Sequence, residues 1–339
     1  MRHLAVIISI LVLSLSMSAE LLSLDTLIDA AVKISPNILS AELTIEDAEI
    51  ELKRALYKET TLPPNTINEK KKAIENAWFN LEKTKKLVNK ETSNIALSVL
   101  KAQHGLRQKE ISFLEAKRDL EIAVVKFDRG SISLNDLIGF EDKYTSSSDA
   151  KEQSKETLKL AKEKLCQQVG LDFDTEIEVD SKLEPLILNI SLDELIEANK
   201  RYDSSYLSVV NSVSLRESEL KQMLEDKEAK LTIRQKEISL EKTKIDLKAK
   251  ESTIISNSRT TLSAYNSQLK NLEKAETEVT KAKKRLNEAY KQYEDGLITL
   301  NDLEDRQYQE EIALMKLVEA KWDLHLASLS LQMVFEGGD

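Results

Sequence analysis

The stretch Gln292–Leu303, QYEDGLITLNDL, decides the fold of this chain because a near copy precedes it. The copy is Lys126–Leu137, KFDRGSISLNDL, and six of its twelve positions carry the same residue. Three further positions exchange residues of one chemical class: an aromatic, an acid and a hydroxyl. A duplication of this length predicts that the chain contains an internal structural repeat.

Each copy combines the signals that end one helix and begin the next. Gly296 can adopt the left-handed conformation of a helix C-cap. Thr299 offers an N-cap oxygen, and Asp302 follows three residues later as the acid of a capping box. Ser133 and Asp136 repeat this arrangement in the first copy. We therefore predict that each motif is the tight tip of an antiparallel helical hairpin.

The duplication extends over most of the chain. The segment SLDTLIDA at 23–30 returns as SLDELIEA at 191–198, an offset of 168, and the tips are 166 residues apart. We predict a signal peptide at 1–19, a first repeat at 20–171 with its tip at 128–136, a link at 172–190, and a second repeat at 191–339 with its tip at 294–302. Within the link, the alternating residues 176–179, EIEV, favour one short strand or a collar.

The long segment before each tip has coiled-coil spacing. Large residues recur every seven positions with alanines between them, at Leu272, Val279, Leu286 and Tyr293 in the second copy and at Leu106, Phe113, Leu120 and Phe127 in the first. This spacing predicts knobs-into-holes packing of neighbouring helices. About 60 helical residues would form a rod about 90 Å long, too long to cover one compact core. The predicted fold class is all-α, with long coiled-coil hairpins in two tandem repeats and little or no β-structure.

The N-terminus and the overall charge restrict the class of protein. Arg2, the apolar run at 4–15 and the small residues at 16–19 are typical of a secretory signal peptide. Its removal changes the net charge from −10 to −11, so a nucleic-acid partner is not expected. His104 and His325 are isolated on predicted helices, and no phosphate-binding loop or nucleophile elbow occurs. We therefore expect no enzyme activity, no cofactor and no metal site.

The SLDxLIxxA start, the YxxGLITLNDL tip, their duplication and the signal peptide together resemble the TolC family of outer-membrane efflux proteins. The resemblance implies a homotrimer in which three chains supply twelve helical rods to a trimeric α-barrel, a tunnel that narrows near the tips. It also implies two partners, a periplasmic adaptor protein and an inner-membrane pump. The expected location is the periplasm or cell envelope, in association with the outer membrane.

The resemblance assigns roles to residues near the tips. Asp302 and Asp305 align with acidic positions that form rings at the channel constriction of family members; the alternative is a solvated helix face, with Asp302 only a capping acid. Asp136 and Tyr293 align with a pair that locks the tips together, although Tyr293 also continues the heptad row. Ile298 departs from the family at a position where a second lock uses arginine.

The two tips match the surface on which adaptor hairpins dock in this family. The residues concerned are Gly130, Ser131, Ile132, Ser133, Leu134 and Asn135 in the first copy, and Gly296, Leu297, Ile298, Thr299, Leu300 and Asn301 in the second.

The chain departs from the family at the opposite end. Family members insert a pair of β-strands between the first helix and the long helix of each copy, and these strands form a membrane barrel. The first junction here, 54–72, has room only for a Pro-Pro turn, and the second, 222–236, has no Gly or Pro and is helical in character. We therefore expect both barrel hairpins to be missing, so that a separate outer-membrane pore or anchor would be needed.

Two functions of different class follow from the sequence. The first is an efflux or export tunnel component that docks an adaptor and pump at its helix tips. The second is an exported coiled-coil spacer or scaffold of the cell envelope without transport activity. The first requires a trimer with a continuous lumen, whereas the second allows a dimer or a solid bundle.

Overall fold

The computed structural model describes residues 20–57 and 66–335. The predicted signal peptide and the predicted Pro-Pro turn lie outside the described residues. The elements are β1 Glu20–Leu22, α1 Leu24–Ile34, α2 Pro36–Tyr57, α3 Thr66–Asp128, α4 Leu134–Val169, β2 Ile177–Val179, α5 Leu192–Tyr202, α6 Ser204–Glu225, α7 Lys230–Glu294 and α8 Leu300–Phe335. The prediction of an all-α fold with very little β-structure is confirmed.

The helices of the two repeats have matching lengths. Helices α1 to α4 contain 11, 22, 63 and 36 residues, and α5 to α8 contain 11, 22, 65 and 36. At 1.5 Å per residue, α3 and α7 are each about 95 Å long. The break between α1 and α2 occurs at Ser35, because Pro36 has no amide proton and forces the preceding residue into an extended conformation. In the second repeat the same break occurs at Asp203, without a proline. There the Asp203 carboxylate accepts a hydrogen bond from the Tyr206 amide at 2.7 Å and caps α6.

Each long helix packs along two shorter ones. Helix α3 packs on α2 and then on α4, and α7 packs on α6 and then on α8. We call the region of α2, α6 and the adjoining parts of α3 and α7 the outer half, and the region of α4, α8 and the adjoining parts of α3 and α7 the tip half. In the tip half α3 also packs on α8, which joins the two repeats into one layer in the order α4, α3, α8, α7.

A small parallel sheet joins the start of the first repeat to the link between the repeats. Strand β1 pairs with β2, with Leu22 opposite Val179, and Ile177 and Val179 are buried while Glu178 is exposed. This core continues through α1, the middle of α3 and the end of α4. Trp322 of α8 is fully buried in the same cluster, so the second repeat contributes its largest side chain to the core of the first.

The heptad row of the second copy packs as predicted over most of its length, whereas none of the four large residues of the first-copy row is buried. Leu272, Val279 and Leu286 are buried against α8. Tyr293 continues the heptad spacing but is not buried: 41% of its surface is exposed at the end of α7, next to the tip. In the first half Phe113 is only partly buried, and its ring lies 5.4 Å from that of Tyr144.

The outer end of the second repeat is a short turn between two helices. Helix α6 runs to Glu225 and α7 begins at Lys230, as the helical character of this junction predicts. Lys227 closes the turn in the left-handed conformation, with φ of 53°. Among the described helices, none combines the length and the apolar character needed to span a lipid bilayer.

Candidate functional site

The two tips have the same backbone conformation at their glycine and make the same backbone hydrogen bonds. Gly130 and Gly296 have φ of 68° and 70°, which is the left-handed region that glycine adopts without steric cost. The amide of Gly130 donates to the Phe127 carbonyl at 2.7 Å, and that of Gly296 donates to the Tyr293 carbonyl at 3.0 Å. The predicted glycine C-caps are confirmed at both tips.

The predicted capping boxes are also present in both copies. The Ser133 hydroxyl accepts from the Asp136 amide at 3.2 Å, and Asp136 Oδ2 accepts from the Ser133 amide at 2.9 Å. Thr299 and Asp302 repeat these bonds at 3.2 and 2.9 Å. Asp302 is therefore a capping acid, as predicted from its spacing to Thr299. A channel-lining role for the same carboxylate stays a prediction.

The capping bonds also control the charge of the two acids. The hydroxyl and then the amide of the N-cap residue donate to each carboxylate, which lowers the pKa of Asp136 and of Asp302 below the ordinary value. Both carboxylates therefore stay ionised at neutral pH while remaining open to solvent. Any ion that approaches the second tip meets Asp302 as a fixed negative charge.

Asp305 is held by an arginine that the sequence analysis did not single out. Arg118 Nη2 on α3 lies 3.3 Å from Asp305 Oδ1, and Arg118 Nη1 lies 3.7 Å from Glu304 Oε2. The Arg118 side chain is 24% exposed and that of Asp305 is 47% exposed, so the pair lies at the surface of the helix layer. Asp305, one of the two predicted constriction acids, thus forms an ion pair with an arginine of the first repeat.

Arg118 is the last member of a polar ladder between α3 and α8. In order toward the tips, its pairs are Lys101 with Asp323 at 2.9 Å, His104 with Glu319 at 2.8 Å, Arg107 with Glu311 at 2.6 Å, and Arg118 with Asp305 at 3.3 Å. Every base lies on α3 and every acid on α8. The Arg107 contact is bidentate, and hydrogen bonding to Glu311 raises the pKa of the guanidinium. From Lys101 to Arg118 the two repeats are therefore joined by polar contacts, which add to the apolar contact that Trp322 makes with the first repeat.

The acids at the second tip open onto a groove between α7 and α8. Asp302 and Asp305 line it together with Arg285, Arg306 and Lys316, and its volume is about 680 Å³. Carboxylates and cations therefore both line its walls. Within the described residues no group of three or more His, Cys, Asp or Glu side chains is placed to hold a metal ion.

The predicted tip lock joins two residues that are not bonded to each other in a single chain. Asp136 bonds to its own N-cap residue, and in the described chain the Tyr293 hydroxyl has no hydrogen-bond partner. The neighbouring Tyr290 hydroxyl instead accepts from Gln307 Nε2 of α8 at 2.8 Å. The lock stays a prediction for an assembly of chains.

The predicted docking residues form exposed surfaces at both tips. Leu134, Leu297 and Leu300 have 58%, 72% and 52% of their surfaces exposed. Ile298 is half-buried because it packs on the cluster of Leu286, Ala289 and Leu303. The second tip therefore presents two leucines, whereas the first presents one, because Ser131 replaces Leu297.

Several solved structures of bacterial membrane proteins share this architecture. The outer membrane channel CmeC of Campylobacter jejuni superimposes with a TM-score of 0.58 at 12% identity, over 96% of this chain and 91% of that one. The outer membrane protein VceC of Vibrio cholerae gives 0.52 at 13% identity, over 93% and 96%. A membrane protein of Pseudomonas aeruginosa gives 0.57 at 12% identity, over 93% and 90%.

The chain has the fold of the TolC-like channels. These superpositions cover 93% or more of this chain, so the fold expected from the tip motifs and the duplication is confirmed. At this low identity the likeness concerns the fold alone. No family model matches the sequence, and no curated protein matches it.

Proposed function

We propose that this chain is one subunit of a homotrimeric helical conduit for efflux or export across the cell envelope. The observation that carries the proposal is the TolC-like fold over almost the entire chain, with both capped tips at one end. In this proposal the chain consists of two repeats, 20–171 and 191–339, joined by a link at 172–190. The protein is exported and lies in the periplasm, in association with the outer membrane.

The layer of helices in one chain supports closure by further copies. Helices α4 and α7 form its two edges, and within the described chain they share no extended contact. Apolar side chains remain exposed near these edges, among them Ile138, Leu160 and Tyr290. A layer with two free edges and exposed apolar side chains is stabilised when the edges of neighbouring copies meet. Three copies of four rods then enclose a lumen.

The tips are the proposed docking surface for a periplasmic adaptor, which connects the conduit to an inner-membrane pump. Exposed leucines at Leu134, Leu297 and Leu300 supply apolar contacts for the helical hairpins of such a partner. The outer end requires a separate membrane pore or anchor in this proposal. Substrate choice then depends on the pump, because the groove near the tips is lined by charges of both signs.

The narrowest point of the conduit is proposed to lie at Asp302 and Asp305. Three-fold symmetry would place six carboxylates around one axis, which attracts cations. Arg118 offsets part of this charge, because it pairs with Asp305 in each subunit. Asp136 and Tyr293 are proposed to lock neighbouring tips in the closed state.

The experiment that tests the proposal measures mass and conductance of the purified mature protein. We expect three times the mass of one chain, a water-filled lumen in particle images, and ion conduction in planar bilayers if the protein inserts there together with an outer-membrane pore. Replacing both acids, Asp302→Ala with Asp305→Ala, should weaken block by multivalent cations several-fold. A dimer or a solid bundle would instead support the envelope spacer, and unchanged block would remove the acidic ring.

A further inference from the structure

Two stripes of exposed apolar residues run along the outer half. The α2 stripe consists of Leu43, Ile50 and Tyr57, and the α7 stripe consists of Leu231, Ile238 and Ile245. Within each stripe the residues are seven apart, and their exposed fractions range from 39% to 92%. Heptad spacing brings three residues to one side of a helix, as in the seam of a coiled coil. Both helices thus carry a coiled-coil seam that nothing in the described chain covers.

Each stripe lies on the side of its helix away from the intramolecular neighbour. At 100° per residue, the α2 stripe is about 130° around the helix from Ile38 and Ile45, which are buried against α3. Helix α7 contacts α6 through Lys236 and Lys244, which pair with Glu219 and Glu217 at 2.9 and 2.7 Å. The α7 stripe is on the opposite side. The two stripes therefore face outward from the two edges of the layer.

The stripes lie at the same height above the tips. The ion pair of Glu51 with Lys70 at 3.3 Å places α2 against α3, so that Tyr57, Ile50 and Leu43 are level with positions about 66, 59 and 52 residues before Gly130. The α7 stripe residues lie 65, 58 and 51 residues before Gly296. The ladder fixes the two tips at one level, because its Lys101–Asp323 pair lies 29 and 27 residues from the respective glycines.

The direction of the helices completes the match. Helix α2 runs toward the outer end and α7 runs away from it, so the stripes are antiparallel as well as equal in length. Helix α6, the counterpart of α2, carries Asn211, Ser218 and Glu225 at the positions that correspond to the α2 stripe. The apolar pattern therefore occurs on one of the two equivalent helices only. Helices α2 and α6 each pack on the long helix of their own repeat, so this packing does not explain why only α2 of the two carries an apolar stripe.

We propose that the α2 stripe of one copy packs against the α7 stripe of a second copy, with Leu43 opposite Ile245, Ile50 opposite Ile238, and Tyr57 opposite Leu231. The occupant of each stripe is thus the same chain. This inference rests on the proposed conduit and names the surface through which its outer half closes. The contact is heterologous, and it can close a ring because each copy carries one stripe on each edge.

Cross-linking in mixed samples tests the pairing. One preparation carries Ile50→Cys and the other carries Ile238→Cys, each with Cys166→Ala to remove the native thiol, and the two are mixed, dissociated and reassembled. A short bis-maleimide should join the two chains into a covalent dimer, while either preparation alone should give none. Ser239→Cys replaces Ile238→Cys in the matched control, because Ser239 faces Arg216 of α6 and should not cross-link.

Substitution provides a second readout that does not depend on cysteine geometry. Ile50→Asp should weaken subunit association about tenfold or more, because it places a charge in an apolar seam. Ser218→Asp, at the equivalent position of α6, should leave association unchanged. Solution mass as a function of concentration measures both effects.

The possible outcomes separate the inference from the proposed function. A trimer that gives no cross-link between positions 50 and 238, and that tolerates Ile50→Asp, overturns the stripe pairing and leaves the conduit standing. A monomer overturns both. A monomer whose Ile50→Cys thiol is shielded from maleimide only by phosphatidylglycerol vesicles would assign the stripes to a lipid surface and overturn the pairing.

Discussion

The two tips share one backbone and differ in the residues that follow it. Both have a left-handed glycine and a hydroxyl–carboxylate capping box with equal bond lengths. Immediately after the duplicated motif, the first tip continues with Ile138, Gly139 and Phe140, where the second continues with Glu304, Asp305 and Arg306. The comparison teaches that the duplicated motif encodes the turn, while the charged residues that distinguish the second tip from the first at positions 304–306 lie outside the motif. Only the second tip can therefore form the contact with Arg118.

The largest effect is expected when the buried leucine of each tip is truncated. Leu303 packs with Leu286 and Ala289, whereas Leu137, at the equivalent position, belongs to no buried apolar cluster of the described chain. Leu303→Ala should lower the free energy of unfolding by about 2–4 kcal/mol, and Leu137→Ala should lower it by less. Urea unfolding followed by circular dichroism measures both. Equal losses would contradict the difference in packing.

The next effect tests what the tips share. Gly130→Val and Gly296→Val should each lower the free energy of unfolding by about 1–2 kcal/mol, since a side chain is strained in the left-handed region. The two losses should be equal because no atom lies within 4 Å of a Cβ added at either glycine. Gly139→Ala is the control: it is helical and equally open, so it should raise stability by up to about 1 kcal/mol.

The capping acids should respond identically to pH. The pKa of each carboxyl is lowered in the folded chain, so its stabilising effect is present above the unfolded pKa and is lost as pH falls through the folded value. Asp136→Asn and Asp302→Asn should each lower the melting temperature at pH 7 by on the order of 1–3 °C. Each difference from the wild type should vanish in strong acid. A difference that persists in acid would mean that the asparagine disturbs more than the charge.

The smallest effect concerns the contact that only the second tip makes. A double-mutant cycle of Arg118→Gln and Asp305→Asn should give a coupling energy of about 0.2–1 kcal/mol, because both side chains are partly exposed. Lys284→Gln at the position equivalent to Arg118 should show no coupling with Asp305→Asn. Added salt should reduce the coupling, and a salt-independent value would mean that the contact is not mainly ionic.

The tips could be predicted from sequence because their signals are local. A glycine, a hydroxyl and an acid within seven residues determine the turn, and the same combination occurs at Gly130 and Gly296. The break at Pro36 and the start of α4 at Leu134 are predictable for the same reason. The heptad row predicts the contact between α7 and α8 as far as Leu286; Tyr293, the next residue of the row, is 41% exposed among the described residues.

The polar ladder could not be predicted in this way. Arg118 and Asp305 are 187 residues apart, and Lys101 and Asp323 are 222 apart. Lysines, arginines and acids are so frequent in this chain that no local pattern marks the ones that meet. Their pairing depends on the register of α3 against α8, which the burial of Trp322 helps to fix.

The parallel pairing of β1 with β2 has a consequence for the order in which the protein matures. Leu22 is separated from Val179 by more than 150 residues, so the sheet closes only after the first hairpin has been made in full. As the polypeptide is synthesised from its N-terminus, helices α1 to α4 can form before the second repeat, because each packs on its neighbour in sequence. The core around the β1–β2 sheet is therefore completed only after the link 172–190 has been synthesised. A chain truncated before Ile177 leaves that core open on one side, and exposed apolar surface of this kind is a target for chaperones and proteases.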